Sequence, residues 1–105
     1  MASVNERKKR AFRQTKTWRT FRHNIYVRDG GRDYITSKRL LKGFECHHFC
    51  LDVDRYKELD EENFLCLNKL THKFIHWIYP LYIKDSKIID RLIEVLEKMR
   101  RLNKE

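Results

Sequence analysis

Four of the five histidines stand in two pairs whose residue type and spacing could bind a metal ion. His47 and His48 are adjacent within "GFECHHFC", residues 43–50, and extended backbone would point them to opposite sides. His72 and His76 lie four residues apart, so on a helix their rings share one face. One member of the first pair can then join the second pair on a single ion, while its neighbour stays outside the ligand set.

Three imidazole ligands predict a reactive metal centre, because they leave coordination positions open. An ion held in this way can bind a phosphate oxygen and stabilise the charge that develops on it. The unligated histidine, His48, can accept a proton from water near neutral pH. Together these groups are suited to the hydrolysis of a phosphodiester bond.

A structural zinc site is the alternative use of the same region. Cys46 and Cys50 could join His72 and His76 in the pattern C-x3-C-x21-H-x3-H, a Cys₂His₂ set with a long middle segment. That site would hold the fold together without catalysing a reaction, and it leaves the adjacent histidines of the first pair unused. A histidine pair with this spacing also occurs on helix surfaces with no ligand role.

The positive charge is concentrated in the first part of the chain. The formal net charge is +9; residues 1–44 hold 13 Lys and Arg against three acidic residues, and residues 45–105 hold 11 against 12. A region of one sign is typical of proteins that bind a polyanion, since Lys and Arg near phosphates release condensed counterions. A basic tail that keeps the chain soluble is the simpler alternative. The residues predicted to contact the nucleic acid backbone are Arg7, Lys8, Lys9, Arg10, Arg13, Lys16, Arg19, Arg22, Arg28 and Arg32.

Length and composition predict one modest hydrophobic core. The chain has 105 residues, 41% hydrophobic and 12% aromatic, which suits one folded domain and is too short for two. It has no run of about 18 apolar residues, and its basic N-terminus lacks the apolar stretch of a secretory signal. The three cysteines are an odd number without a CxxC pair, as expected for reduced thiols. We therefore expect a cytoplasmic protein with no membrane partner.

The N-terminal half is expected to present basic residues on a helix. Residues 1–14 look like a mobile basic arm, and residues 15–28 form an amphipathic pattern that the glycines of "DGG", residues 29–31, can end. Trp18, Phe21 and Ile25 fall on one face of that helix and are predicted to pack into the core. The segment that follows is expected to be extended, with turns near Ser37–Lys38 and Lys42–Gly43.

The C-terminal half is expected to hold one strand and two helices. Residues 52–62 form an acidic loop, and "NFLCLN", residues 63–68, alternates like a strand. Asn68 can cap a helix that Pro80 is predicted to end. Residues 85–104 repeat apolar groups at spacings of three and four, which favours an amphipathic helix that packs on the body or forms a homodimer.

The segment of residues 47–76 resembles the ββα-metal core of HNH endonucleases. Its sequence, HHFCLDVDRYKELDEENFLCLNKLTHKFIH, is similar to the His-His form found in colicin DNases and to small phage-type stand-alone members. Asn63 follows His48 after fifteen positions, His72 comes nine further on, and His76 four beyond that. Four residues in one register make the resemblance more specific than either histidine pair alone.

The resemblance implies a role for each matched position. His47 is similar to the first metal ligand of the family, and His72 and His76 are similar to the remaining ligands. His48 is similar to the general base, and Asn63 to the residue that fixes the loop and orients that base. Where many relatives carry the first CxxC pair of a structural zinc, this chain has "YITSK", so a second zinc is not expected.

The fold and activity that the resemblance implies can be stated together. It implies an α+β fold with a small ββα-metal (HNH, or His-Me finger) core over residues 44–79, inside a single domain of residues 15–105. The implied activity is metal-dependent hydrolysis of DNA phosphodiester bonds, with RNA left open as a substrate. The implied cofactor is one divalent ion, Zn, Ni, Mg or Mn. A phage-encoded protein that acts in the host cytoplasm fits the small phage-type members.

Two non-catalytic functions stay open beside the nuclease. A structural-zinc module would bind nucleic acid without cutting it. A catalytically weak HNH fold could instead serve as a protein-binding regulator, with the acidic loop of residues 52–62 or the helix of residues 85–104 as its docking surface.

Overall fold

The computed structural model describes residues 3–51 and 55–104. Over those residues the chain is α+β, with four α-helices and a two-stranded antiparallel sheet. The elements are α1 (Val4–Arg13), α2 (Lys16–Arg28), β1 (Glu45–His48), β2 (Phe64–Leu67), α3 (Lys69–Lys84) and α4 (Ile88–Asn103). Part of the expected acidic loop, residues 52–54, lies outside the described residues, and the loop ends in a 3₁₀ turn, Glu61–Asn63. The chain divides into two compact units at His72 and Lys73, inside α3.

Helix α1 covers most of the segment that the sequence predicted as a mobile basic arm. Its start is a capping box, in which the Ser3 side chain accepts from the Glu6 N–H and the Glu6 side chain accepts from the Ser3 N–H. Phe12, near its end, lies 6.0 Å from the ring of Trp18 and 5.6 Å from that of Tyr56. The basic residues of this segment are therefore presented on a capped and anchored helix.

Helix α2 begins and ends as its sequence predicts. The Thr15 side chain accepts a hydrogen bond from the Trp18 N–H and caps the first turn. The helix ends at Asp29, and Gly30 and Gly31 follow with φ of 67° and 69°, a left-handed conformation that glycine adopts without strain.

The core of the first unit lies between α2 and one face of the sheet. Phe21 and Ile25 are buried there, and Trp18 packs against them half-buried, so the predicted core face of α2 is confirmed. The rings of Phe21 and Phe64 meet edge to face at 4.9 Å, an arrangement that adds stability beyond the apolar area they bury. The buried members of this core are Phe21, Ile25, Leu40, Phe64 and Cys66.

The register of the sheet decides which residues of β1 share a face. Glu45 pairs with Leu67, Cys46 with Cys66, His47 with Leu65 and His48 with Phe64. Because successive side chains alternate, Glu45 and His47 point to one face of the sheet, and Cys46 and His48 point to the other. The second of these faces is the one that packs on α2.

The outer edge of β2, on the side away from β1, is hydrogen-bonded to the segment that follows α2. The edge consists of the N–H and C=O groups of Phe64, Cys66 and Asn68. Their partners include Arg28 Nη2 to the Phe64 C=O at 2.8 Å, Asp29 Oδ2 to the Cys66 N–H at 3.2 Å, the Tyr34 N–H to the Cys66 C=O at 3.1 Å, and Asp33 Oδ2 to the Asn68 N–H at 2.9 Å. The Phe64 N–H donates to Glu61 and the Asn68 C=O accepts from His72, so all six groups are bonded.

Helix α3 does not end at Pro80, and that prediction was wrong. The helix runs from Lys69 to Lys84 with Pro80 inside it. The φ angle that the proline ring imposes is close to that of an α-helix, and its cost is the missing N–H that would donate to the C=O of His76. The helix continues through Leu81, Tyr82 and Ile83, which keep the backbone N–H groups that Pro80 lacks.

Asn68 stands at the start of α3, but its side chain bonds elsewhere. Its C=O accepts from the His72 N–H at 2.9 Å, which is the first bond of the helix. Its side-chain oxygen accepts from the Leu41 N–H at 2.8 Å, and its amide nitrogen donates to the Arg39 C=O at 3.1 Å. The side chain that was expected to cap α3 instead joins the end of β2 to the segment before β1.

Helix α4 is present where the apolar repeat predicts it. None of its residues is buried, and Leu96, Met99 and Leu102 are 54%, 53% and 74% exposed. The homodimer through residues 85–104 stays a prediction. Within the described part of the chain, no helix combines the length and the apolar character needed to cross a membrane.

Candidate metal centre

Strand β1 and helix α3 bring three histidines together. His47, His72 and His76 each offer one ring nitrogen, and these three atoms lie within 4.8 Å of one another. His47 comes from β1 and is 8% exposed, whereas His72 and His76 are one turn apart on α3. The three residues predicted as ligands thus form one cluster close enough to hold a metal ion.

The spacing within the cluster fits a first-row metal ion. His47 Nδ1 and His72 Nε2 are 3.1 Å apart. Two nitrogens bound to a tetrahedral zinc ion, with bonds of about 2.05 Å, are separated by about 3.3 Å. The widest distance in the cluster must shorten by up to about 1.5 Å from this starting geometry. Neutral imidazoles suit zinc and nickel in particular.

Glu45 orients one of these ligands and was missed by the sequence analysis. Its carboxylate is bonded to His72 Nδ1. A carboxylate at this nitrogen favours the tautomer with a proton on Nδ1, which leaves the Nε2 lone pair directed at His47. Glu45 precedes His47 by two residues, so strand alternation could have placed both on the same face.

His48 lies on the opposite face of β1 from the cluster. Its ring stacks on that of Phe64, with centroids 4.4 Å apart and planes 2° from parallel. Burial lowers the pKa of His48, nearby Arg55 lowers it further, and Glu58 opposes the shift. This shift favours the neutral form of the ring, which has a lone pair on one nitrogen.

Asn63 extends the ladder of the sheet by one pair beyond His48. Its C=O accepts from the Phe49 N–H at 3.0 Å, and its own N–H donates to the Asp60 C=O at 2.9 Å. The residue after His48 is thereby tied to the start of β2. The predicted role of the Asn63 side chain in orienting a base stays a prediction.

The cysteines do not join the histidine cluster. Cys46 faces Cys66 across the sheet, on the side away from His47, and Cys50 Sγ lies 3.7 Å from Arg55 Nη1. The hydrogen bond with Cys66 raises the pKa of the Cys46 thiol, and burial adds to this effect. The Cys₂His₂ alternative is therefore not assembled among the described residues.

Three of the ten basic residues predicted to bind nucleic acid make structural contacts. Arg22 donates to the Phe44 C=O at 2.6 Å, Arg28 to the Phe64 C=O, and Arg32 to the Ser37 C=O at 3.0 Å. A guanidinium group has several donors in one plane, which suits it to bridge backbone segments. The other seven lie on α1 and α2: Arg7, Lys8, Lys9, Arg10, Arg13, Lys16 and Arg19.

Comparisons with known proteins returned nothing, since a scan of family models and searches of curated proteins and of solved structures gave no match to the chain.

Proposed function

We propose that this protein is a metal-dependent endonuclease of the HNH type that hydrolyses DNA phosphodiester bonds. The observation that carries the proposal is the cluster of His47, His72 and His76, with two of its ring nitrogens 3.1 Å apart. Strand β1 contributes His47, and helix α3 contributes His72 and His76. His48 follows directly in the chain and is kept out of the ligand set.

The proposal gives a role to each of these side chains. His47, His72 and His76 would hold one divalent ion, and Glu45 would keep His72 in the ligating tautomer. The bound ion would supply Lewis-acid stabilisation of the scissile phosphate and of the leaving oxygen. His48 would take the proton of the attacking water.

The position of the two adjacent histidines near the end of β1 makes these roles compatible. Neighbouring residues in a strand are only about 3.3 Å apart along its axis, although their side chains point to opposite faces. His48 is the last residue of β1. The proposal therefore places the phosphate at this end of the strand, beside the residues that carry the ion site and the base.

The basic residues of α1 and α2 would hold the DNA backbone. Within residues 3–51 and 55–104, seven of them make no hydrogen bond of the kind that joins Arg22, Arg28 and Arg32 to backbone carbonyls. All seven belong to the half of the chain with the positive charge excess. Contacts of this type position a nucleic acid without reading its sequence. They suit RNA as well as DNA.

A protein-binding regulator built on the same fold is the second candidate. The observation that favours it is α4, whose apolar stripe is exposed in the second half of the helix, at Leu96, Met99 and Leu102. An exposed apolar stripe is typical of a surface that binds another protein, and the proposed nuclease reaction does not use it. The two candidates differ in whether the purified protein cuts DNA.

Cleavage of a supercoiled plasmid tests the proposal. Purified protein is incubated separately with Mg, Mn, Ni and Zn, and nicked and linear products are measured. We expect cleavage with at least one ion, its loss in His72→Ala, and its retention in His23→Ala, which removes an exposed histidine of α2. Absence of cleavage with all four ions, from protein that is folded and binds zinc, would favour the regulator.

A further inference from the structure

Two of the three cysteines face each other across the sheet. Cys46 of β1 and Cys66 of β2 are direct partners in the antiparallel register, and both are free thiols. They share the packing face of the sheet, opposite the histidine cluster. Their interaction raises the pKa of the Cys46 thiol and lowers the pKa of the Cys66 thiol.

The backbone of Cys66 shows which kind of cross-strand pair this is. Its N–H donates to Asp29 Oδ2 at 3.2 Å, and its C=O accepts from the Tyr34 N–H at 3.1 Å. Both groups therefore point away from β1, so Cys46 and Cys66 form a non-hydrogen-bonded pair. In such pairs the Cα atoms are about 4.5 Å apart and the side chains approach more closely than in the alternate pairs.

This separation falls within the range that a disulfide bridges, about 4.4 to 6.8 Å between Cα atoms. The backbone separation typical of such a pair is therefore compatible with a disulfide. Cys50 is placed differently, since its sulfur lies 3.7 Å from Arg55 Nη1 outside the sheet.

The two thiols differ in their exposure. Cys66 is 0% exposed, whereas Cys46 is half-buried at the margin of the core. A reagent in solution can therefore meet Cys46 first, and Cys66 is placed to react with whatever forms on Cys46.

We propose that Cys46 and Cys66 are a redox modification site, which a small disulfide such as glutathione disulfide converts to a cross-strand disulfide. Cys46, the more exposed thiol, once deprotonated attacks one sulfur of the small disulfide, whose S–S bond breaks and releases one small thiol. Cys66 then attacks the Cys46 sulfur, and the mixed disulfide breaks and releases the second small thiol. The two protein thiols lose two electrons and two protons, and the small disulfide is reduced to two thiols. The site stands independently of the nuclease proposal.

Oxidation of variants in which one of the three cysteines is replaced tests this pairing. Cys50→Ser keeps the proposed pair, and Cys46→Ser keeps Cys50 and Cys66 and serves as the matched control. Each protein is equilibrated with reduced and oxidised glutathione, the thiols are alkylated, and the intact mass is measured, with circular dichroism to verify folding.

Relative to its reduced form, we expect oxidised Cys50→Ser to be lighter by two hydrogen atoms and to carry no glutathione. Its Tm should be higher by about 5 to 10 °C than that of the reduced form, because the closed loop restricts the unfolded chain. Cys46→Ser should remain reduced or carry a glutathione adduct. In denaturing urea the difference between the two variants should disappear. The proposal is wrong if folded Cys50→Ser stays reduced or stops at the adduct, or if Cys46→Ser forms an internal disulfide as readily.

Discussion

The two faces of the small sheet receive alternate residues of one four-residue strand and use them differently. On one face, Glu45 and His47 meet His72 through polar contacts between side chains. On the other face, Cys46 and His48 lie against Cys66 and Phe64 at the margin of the core. The first face gathers nitrogen lone pairs, and on the second face a single imidazole stacks on the ring of Phe64, with Arg55 and Glu58 nearby.

This difference teaches that residue type alone does not assign the two adjacent histidines. His47 and His48 are chemically identical, and the alternation of the strand gives one to the cluster and the other to the packing face. Their roles therefore depend on the register of the sheet. A slip of one residue would exchange them.

The largest expected effects come from replacing the two adjacent histidines, one on each face of the sheet. His47→Ala should weaken zinc binding by more than about 100-fold, because it removes a ligand. His48→Ala should keep zinc affinity and DNA affinity while cleavage falls by about 10² to 10⁴, the usual contribution of a general base. Calorimetry with zinc and plasmid cleavage measure the two properties separately.

An exchange of these outcomes would invert the comparison. If His48→Ala loses the metal and His47→Ala keeps it, the ligand comes from the packing face. Full cleavage by a thoroughly purified His48→Ala protein would show that His48 is not the general base.

The next prediction concerns Asp33, which supports the sheet and so affects the stability of both of its faces. Asp33 is 1% exposed and accepts hydrogen bonds from the N–H groups of Ile35, Thr36 and Asn68. Asp33→Ala leaves these donors without their acceptor and should lower the free energy of unfolding by about 3 kcal/mol. Urea denaturation measures it, with the exposed cap variant Asp60→Ala as a control expected to cost about 1 kcal/mol or less.

The pH dependence of stability tests the same carboxylate. Burial tends to raise the pKa of Asp33, but the N–H bonds outweigh burial and the folded-state pKa is lowered. The unfolded chain then binds the proton more readily, so this stabilisation is complete above about pH 3.9 and is lost as pH falls below it. Wild type should lose more stability than Asp33→Ala between about pH 5 and pH 2.5. Equal losses in the two proteins would contradict this role.

The smallest effect concerns the residue that supports the cluster without belonging to it. Glu45→Gln should weaken zinc binding by about 10- to 100-fold, because the amide holds the His72 tautomer less firmly than the carboxylate. The same calorimetry measures it. Glu58→Gln, which changes a carboxylate paired with Arg55, should leave zinc binding unchanged. Equal zinc affinity in wild type and Glu45→Gln would show that Glu45 has no part in the site.

The features that the sequence predicted depend on short spacings. The start and end of α2 follow from Thr15 and from the glycines after Asp29, and the shared face of His72 and His76 follows from one helical turn. The choice of His47 for the cluster came from the resemblance in spacing. Each of these signals lies within a few residues or in one fixed register.

The features that it missed depend on contacts between distant residues or on competing local effects. The bonds of Glu45 to His72 and of Arg28 to the Phe64 C=O join residues 27 and 36 positions apart, and no local pattern specifies them. At Pro80 the local rule was applied too strictly, because a helix tolerates the loss of one hydrogen bond when the following residues can continue it. The capping box of α1 was readable in Ser3 and Glu6, but charge density favoured a mobile arm.

The bonded outer edge of β2 has a consequence for how the protein behaves at high concentration. β2 is a buried run of Phe, Leu, Cys and Leu, and an exposed edge of such a strand is a template on which a second chain can add a strand. Here Arg28, Asp29, Asp33 and Tyr34 occupy the donors and acceptors that an incoming strand would use. The chain thus closes the outer edge of β2 to strand addition without a third strand.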